Sequence, residues 1–562
     1  MKKNRKAKII IPIAALLLAA AIVIPVYMLK IKNPSPSGQE DITNGGGSDT
    51  KISVDVDYGE PEATYETAEY NGYTLPKVIA DCFLQADADT AAACEKYGVA
   101  FETGGRKVST PEYTMAYYDI YNSIILNGTA DENNLMVNSA SLPSQQPYGD
   151  FGYNWDTQLR KLTDDSLTEK FLMFDEALNN GFTVTDDLVD SFNSTYTTIE
   201  QSVLTGGFSS IEELCEKAYT KGVTIDMYMR QFTLYMVTEQ YKADIAEKAM
   251  SDLSDAEAEK IYSANKSDYD YVDAIIITVN PEHGDFVNSN LSKIKDPDSF
   301  YQCCIDYYSE HNYPMDLTYA RQLCNWGHSN YGGLERRLGK NIADWCYDPS
   351  RKAGDVGAVE GEMYICIIYL ETAPYDSYSV DIHEMAFYYD EETLTTQPTD
   401  EQKEAVKEAL LEAKKAFTAT DQTLDDFIAV TKQYGQGANA ANGGALPGQR
   451  LPDLDYDTGY WCFADKPKEG EWAVLYTPRG CSIFFFDKAN TEDKDSLFYV
   501  RNEIADKKYS DYLDSVKGFN GNETVSYGAE AEKAIEIVEK KIQASIDERN
   551  KAVNEALGQK NQ

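Results

Sequence analysis

The sequence predicts an α+β protein: an N-terminal transmembrane helix, a helical domain, and two related α+β domains in tandem. Three observations carry this. Residues 75–266 show helical periodicity with repeated helix-start signals. After Tyr269 the texture changes to short apolar, β-branched runs separated by helices, without strict strand–helix–strand alternation. The second half also repeats itself. Trp345-Cys346-Tyr347 is followed, nine residues after the Trp, by Gly354-Asp355 and then by an apolar run at 364–370. Trp461-Cys462-Phe463 is followed at the same interval by Gly470-Glu471 and a run at 482–486. Each copy has an upstream glycine pair, Gly332-Gly333 and Gly443-Gly444, and each begins with a comparable strand, at 271–274 and 379–382.

In the helical region, Ser109 and Glu112 have capping-box spacing and Pro111 suits a first helical turn, so a helix opens at Thr110. A second helix is expected over 167–180, stopped by Gly181, and a third starts at Thr185. Ser209 and Ser210 precede Glu212 and Glu213 and start a short fourth. Residues 225–248 form a fifth, with Met229, Phe232, Tyr235 and Met236 at helical spacing. That stripe is either core or the lining of a cleft for client chains. Ser254 and Glu257 cap a short helix ending near Asn265. Strands are expected at 274–279, 364–370, 380–388 and 482–486, with helices at 401–417, 424–434 and 495–516, a short strand at 523–527, and a charged helix from Gly528 to about Leu557.

Composition excludes some functions. Against 51 Lys and Arg stand 93 Asp and Glu, a formal net charge of −42 over 562 residues. Such a field repels phosphate backbones, so no nucleic-acid partner is expected. It suits a solvated acidic surface and attracts cationic chains. The ten cysteines include no C-x-x-C pair and histidine occurs only four times, so no metal and no cofactor is expected. Several cysteines lie in apolar runs, which leaves buried thiols and disulfides both open. Tyrosine is abundant, 41 against 20 Phe, and fits cores as well as half-exposed grooves.

At the N-terminus, Lys2, Lys3, Arg5, Lys6 and Lys8 precede an apolar run at 9–29. At about 1.5 Å per residue, it crosses roughly 30 Å of hydrocarbon. The basic cluster predicts a cytoplasmic N-terminus and an extracytoplasmic body. The run exceeds an ordinary signal-peptide core and lacks a clean cleavage site, favouring an anchor. The resulting division is a basic tip and anchor at 1–30, a Pro/Ser/Gly-rich linker at 31–74, a helical domain at 75–266, α+β domains at 267–375 and 376–490, and C-terminal helices at 491–562, the first part packing on the helical domain.

Segment 427–434, then Asn442-Gly443-Gly444 and Leu446, then Lys468, Gly470-Glu471 and a strand from Gly480, resembles the parvulin (PpiC-type) prolyl isomerase domain. The strand with His383 is similar to that domain's opening strand. Upstream, Gly181 to Thr185, 207–213 and 227–246 resemble the helical chaperone region of the SurA/PrsA foldases, and the resemblance covers roughly 96–527. It implies a SurA-N-like helical domain, a degenerate first parvulin-like domain and a second, more complete one. The implied chemistry is rotation about X-Pro bonds, against a barrier of about 18–20 kcal/mol, by holding the proline in an apolar pocket and favouring the twisted amide. The family does this with two ring-stacked histidines, a nearby Cys or Asp, and a Met/Leu and Phe pocket.

Carried over, His383 matches the first histidine, and Ser482 stands where the second belongs. Gly437 stands near the Cys/Asp position, Leu451 fits the pocket Met/Leu, and Tyr456 replaces the Phe with Phe463 nearby. In the first domain Ile275 occupies the histidine position; His283, His311 and His328 are expected in loops. His383 is alternatively a strand histidine bonded to backbone. The resemblance implies a membrane-anchored extracytoplasmic foldase that binds unfolded or newly exported polypeptides, with weak or absent isomerase activity. An active isomerase and an acidic surface scaffold are the alternatives.

Overall fold

In a computed structural model the protein is α+β, with small antiparallel sheets among many helices. The structure describes residues 56, 65–126, 154–311, 313–361, 363–389, 399–477, 480–519, 532, 533, 535–538, 540 and 541. The expected anchor, most of the expected linker, the strand at 523–527 and most of the charged C-terminal helix lie outside the described residues. Among the described residues no helix is long and apolar enough to cross a membrane. The chain forms two units: one takes in Glu40–Ser251 and the chain from Ala505, the other Asp252–Ile504.

The first unit opens with two hairpins absent from the sequence expectation. Strands β1 (Thr67–Tyr70) and β2 (Tyr73–Pro76) pair across the boundary between the expected linker and the expected helical domain. Asn71 and Gly72 turn between them at φ 50° and 86°, the two positive values of a type I′ turn. After α1 (Lys77–Tyr97), β3 (Val99–Thr103) and β4 (Arg106–Ser109) pair through Gly104-Gly105, again both at positive φ. Five helices follow: α2 (Thr110–Leu126), α3 (Trp155–Asn179), α4 (Asp186–Gly206), α5 (Ile211–Ala218) and α6 (Ile225–Asp252). The third element starts earlier than expected because Asn154 caps it, accepting from the Thr157 amide at 3.0 Å.

These elements share one apolar core that buries Phe83, Phe101, Tyr113, Phe174 and Tyr228. Each large side chain buried this way contributes about 1.5–3 kcal/mol. The C-terminal helix adds Tyr512, whose hydroxyl donates to Glu176 Oε2 at 2.8 Å. The core also holds a charge. Arg230 on α6 is 4% exposed; its guanidinium donates to Glu112 Oε1 at 2.7 Å, Thr90 Oγ1 at 2.8 Å and Asp87 Oδ1 at 2.5 Å. Glu112, fully buried, also accepts from Gln231 Nε2 at 3.0 Å.

The second unit begins with α7 (Asp255–Ala264) and α8 (Lys266–Tyr269) and then repeats one architecture twice. In the first repeat β5 (Tyr271–Val279) leads through α9 (Gly284–Asn290), α10 (Pro297–Glu310) and α11 (Leu317–Cys324) to β6 (Asn325–Asn330). Helices α12 (Tyr331–Leu338) and α13 (Lys340–Tyr347) then lead to β7 (Val356–Glu360) and β8 (Ile365–Tyr375). In the second, β9 (Tyr378–Tyr388) leads through α14 (Asp400–Thr418) and α15 (Leu424–Tyr434) to β10 (Ala445–Gln449). Helix α16 (Tyr456–Tyr460) then leads to β11 (Trp472–Thr477) and β12 (Gly480–Lys494), and α17 (Asp495–Phe519) follows.

The sheets have the same order, β6-β5-β8-β7 and β10-β9-β12-β11. Their hydrogen bonds match residue for residue. Gly354 N–H donates to Leu370 O (2.8 Å) and Leu370 N–H to Asp355 O (2.9 Å); Gly470 N–H donates to Phe486 O and Phe486 N–H to Glu471 O, both at 2.9 Å. The Trp-Cys motifs are equivalent as well: Cys346 and Cys462 each pack on the same face of their sheets. The glycine pairs are not equivalent. Gly332-Gly333 lie within α12, after the second strand of their repeat, whereas Gly443-Gly444 precede β10 in left-handed conformation. A Cβ on Gly444 would come within 2.0 Å of the Glu384 carbonyl oxygen, so only glycine fits there. All ten cysteines are free thiols.

Replacing Glu112 by Ala leaves the Arg230 guanidinium buried against only Asp87 and Thr90. Breaking one side of such a buried pair costs about 3–5 kcal/mol, and urea unfolding followed by circular dichroism is expected to show that loss. A loss under about 1 kcal/mol would mean that water reaches the guanidinium.

Candidate functional site

The sheet of the second repeat was the expected site, and its register decides what meets there. β9 and β12 pair antiparallel, with Phe485 opposite His383 and Ser482 opposite Ala386. Side chains alternate along a strand, so residues an odd number apart face opposite sides. His383 therefore shares a face with Met385 and Phe387, on the side that packs against α14 and α15, where its ring stands 6.5 Å from that of Phe427. It is 8% exposed, and Nδ1 lies 3.0 Å from Gly443 O, so Nδ1 carries the proton and donates to that carbonyl. Ser482 points to the other face, where its Oγ donates to Glu384 Oε1 at 2.7 Å. The structure thus separates His383 from Ser482 and pairs Ser482 with Glu384 instead.

The expected pocket residues are divided too. Leu451 sits half-buried in a 3₁₀ turn on the Ser482 side, in a cluster with Trp461, Phe463, Phe484 and Phe486. Phe463 is buried among them as core, its ring 5.9 Å from Tyr378. The backbone of Tyr456 opens α16, and its side chain lies outside the described residues. Gly437 is exposed at φ 82°, where it begins a short 3₁₀ turn. In the first repeat, Ile275 is buried in the apolar core.

The remaining histidines are not in loops. His283 ends a 3₁₀ turn, His311 is the C-cap of α10, and His328 lies in β6. His328 adopts φ 52°, a left-handed value that costs a non-glycine residue energy. What holds it is polar: its amide donates to Asp273 Oδ1 (3.0 Å) and its Nδ1 lies 2.6 Å from Tyr375 Oη, which donates to the same carboxylate at 3.1 Å. Burial alone would raise the Asp273 carboxyl; the His328 and Thr372 hydrogen bonds outweigh it and hold the group below its ordinary range. Phe463 of the second repeat stands edge-on to the His328 ring, 5.8 Å away, so this trio helps join the two repeats.

The first unit contains a cavity. It has a volume of about 220 Å³ and lies among α2, α3 and α6, with Met115, Ile120, Leu162 and Phe232 among its apolar walls. An apolar cavity of about 150 Å³ already admits a benzene ring; this one accommodates a large aromatic or aliphatic side chain. Phe232 and Tyr235 belong to the stripe read from the sequence. The other two members differ: Met229 is core, and Met236 is half-buried against it.

Ionisable groups edge the cavity. Asp119 and Lys170 both line it, with Glu169 and Glu239. Burial pushes the Asp119 carboxyl up to about 7, opposed by the Lys170 charge and the neighbouring Tyr219 hydroxyl. Burial also lowers Lys170, opposed by Asp119, Glu169 and Glu239. Asp119 Oδ1 and Gln231 Oε1 are buried without a hydrogen-bond partner among the described residues. Two unpaired acceptors beside an apolar void suit a ligand bearing N–H or O–H donors next to an apolar group. The sequence marked one wall through the α6 stripe; Asp119, Lys170 and Gln231 carried no signal, because nothing in linear spacing brings them together.

A scan against protein-family models and a search of curated proteins both return no match for this chain.

The raised Asp119 carboxyl gives a pH prediction. A folded-state pKa of about 7 lies above the unfolded value of about 3.9. Protonation then favours the folded state: stability rises as pH falls through 7 toward 4, and that gain is lost as pH rises through 7. Asp119→Asn is expected to be more stable than the parent at pH 8, with the difference vanishing by pH 4. A variant destabilised at pH 8 would mean that attraction to Lys170 outweighs the burial of the charge.

Proposed function

We propose that the protein is a membrane-anchored, extracytoplasmic foldase of the chaperone type, which holds unfolded or newly exported polypeptides and has weak or absent prolyl isomerase activity. The observation that carries this reading is the cavity of the helical unit. It is apolar, sized for one large side chain, and bounded by unpaired acceptors and carboxylates. An unfolded chain offers what these groups lack: apolar side chains with free backbone N–H groups and neighbouring Lys or Arg. The net charge of −42 favours cationic segments from a distance. The resemblance of the helical region to the SurA/PrsA foldases supports the same reading, and so does the basic-then-apolar N-terminus.

The low isomerase expectation rests on the sheet register. His383 and Ser482 face opposite sides, so they offer no joint polar surface to a twisted amide. One observation favours the second reading, an active isomerase: the hydrogen-bonded Ser482–Glu384 pair lies on the same face as Leu451 and Phe463. A working site would then use Glu384 in place of His383.

Aggregation of an unfolded client, followed by light scattering with the full-length chain, tests the first reading. Suppression at near-stoichiometric amounts is expected. Ile120→Glu, which puts a charge on the cavity wall, should weaken it several-fold while circular dichroism stays unchanged. Equal suppression by both proteins would remove the cavity from the mechanism. Proline-limited refolding separates the second reading: no acceleration is expected, whereas acceleration abolished by Glu384→Gln and kept by His383→Ala would establish an isomerase.

A further inference from the structure

We propose that His283 and His311 form a binding site for a divalent transition-metal ion of the zinc class, ligated through both Nε2 atoms. This goes beyond the foldase reading and departs from the sequence expectation of no metal. The two residues are distant in sequence, and no ligand spacing links them. The fold brings them together, and Tyr307 orients both.

The geometry is built from the backbone outward. Asn280 caps the 3₁₀ turn ending at His283, its Oδ1 accepting from the Glu282 amide at 3.0 Å. The Asn280 N–H donates to Tyr307 Oη at 3.0 Å, which ties this turn to α10. His311 closes α10 one turn after Tyr307, and its ring packs 4.6 Å from the Tyr307 ring. His311 Nδ1 lies 2.6 Å from the Tyr307 carbonyl oxygen, which can only accept, so the proton is on Nδ1 and the Nε2 lone pair is free. His283 Nδ1 lies 3.1 Å from Tyr307 Oη. Each ring thus has its far nitrogen held by the same residue, as metal-ligating imidazoles ordinarily do.

The near nitrogens converge. The ring centroids are 4.0 Å apart with a 35° angle between planes, yet the two Nε2 atoms are only 3.2 Å apart. With metal–nitrogen bonds of about 2.0–2.1 Å, a tetrahedral ion holds two nitrogen ligands about 3.3–3.4 Å apart. The nitrogen separation already fits; in-plane bonds of that length would put the ring centroids about 5 Å apart, so the stacked rings open by about 1 Å to take the ion. Without an ion, the short Nε2···Nε2 approach requires one proton between them. Because His311 carries its proton on Nδ1, that proton is on His283 Nε2, and His283 Nδ1 accepts from the Tyr307 hydroxyl. Metal binding moves the proton of His283 from Nε2 to Nδ1, where it donates to Tyr307 Oη. The Tyr307 hydroxyl, which then accepts from both His283 Nδ1–H and the Asn280 N–H, turns its own proton away from His283, and no proton is released overall.

Among the described residues no group of three His, Cys, Asp or Glu is arranged around an ion. The site thus supplies two ligands and leaves the remaining positions to water or a small anion. His311 is exposed, so an ion reaches it freely, while His328 is half-buried and His383 buried. The acidic surface raises the local concentration of cations.

Calorimetric titration of the full-length chain with Zn²⁺, in excess Mg²⁺ to occupy non-specific carboxylates, tests this. One saturable equivalent is expected, weakened at least tenfold by His283→Ala and by His311→Ala and unchanged by His383→Ala. Long-range ¹H–¹⁵N spectra of the imidazoles should show His283 change from the Nε2–H to the Nδ1–H tautomer on adding Zn²⁺. Non-saturable heat, or an equivalent that survives both substitutions, would overturn the proposal, as would a His283 tautomer that ignores the ion.

Discussion

The pairing register of β9 with β12 is the constraint on which the second repeat depends. With Phe485 opposite His383, every side chain of both strands is assigned to a face. Met385, Phe387, Cys481, Ile483 and Phe485 are committed to the helices α14 and α15. Ile382, Phe484 and Phe486 are committed to the layer formed by Trp461, Cys462 and Phe463. A shift by one residue would carry both apolar sets to the wrong side at once. The polar residues have no such freedom of their own; they go where the apolar ones take them. That is why His383 becomes a buried strand histidine capped by a carbonyl, and why Ser482 finds Glu384.

The same framework explains how the two repeats diverged. Their backbones are held by matching hydrogen bonds around Gly354 and Gly470, so the topology is shared. In the first repeat the face that carries Ser482 in the second is closed by α12 and α13, with Leu334, Ile342 and Ala343 packed on Ile276, Cys366 and Ile368. Apolar contact replaces the polar pair there. Polar groups of the first repeat are concentrated elsewhere: in the Asp273–His328–Tyr375 trio against Phe463, and in the His283–His311 pair at the end of α10. Three of the four histidines of the chain thus sit in one repeat, none of them at the position that the tandem relationship would suggest.

The helical unit handles buried charge in two contrasting ways. Around Arg230, the charge is met on two sides: Glu112, Asp87 and Thr90 accept from the terminal guanidinium nitrogens and Gln231 donates to Glu112, although Arg230 Nε has no partner among the described residues. Such a network fixes the relative positions of α1, α2 and α6. Further along α2, Asp119 flanks a void together with Lys170 of α3, and Asp119 Oδ1 and Gln231 Oε1 have no hydrogen-bond partner among the described residues. Native cores rarely leave buried polar atoms unmatched, and each exception calls for strain, a function, a water or an ion to account for it.

Much of this protein was written in local sequence. The capping residues Thr185, Ser210 and Ser254 each start the helix they were suited to start, because a cap is an interaction over three residues. The β-branched runs became the central strands, and the Trp-Cys and Gly-acid motifs marked the repeat, because both signals are periodic along the chain. Asn71-Gly72 and Gly104-Gly105 were equally local hairpin signals, one lost at the end of the expected linker and the other among the helices around it. The tertiary structure alone decided the rest. Which of His383 and Glu384 meets Ser482 depends on strand pairing across about a hundred residues. Whether Asp119 faces Lys170, or His283 meets His311, depends on helix packing. Neither is a property of spacing: side-chain faces are fixed only when two elements bury their apolar sides against each other.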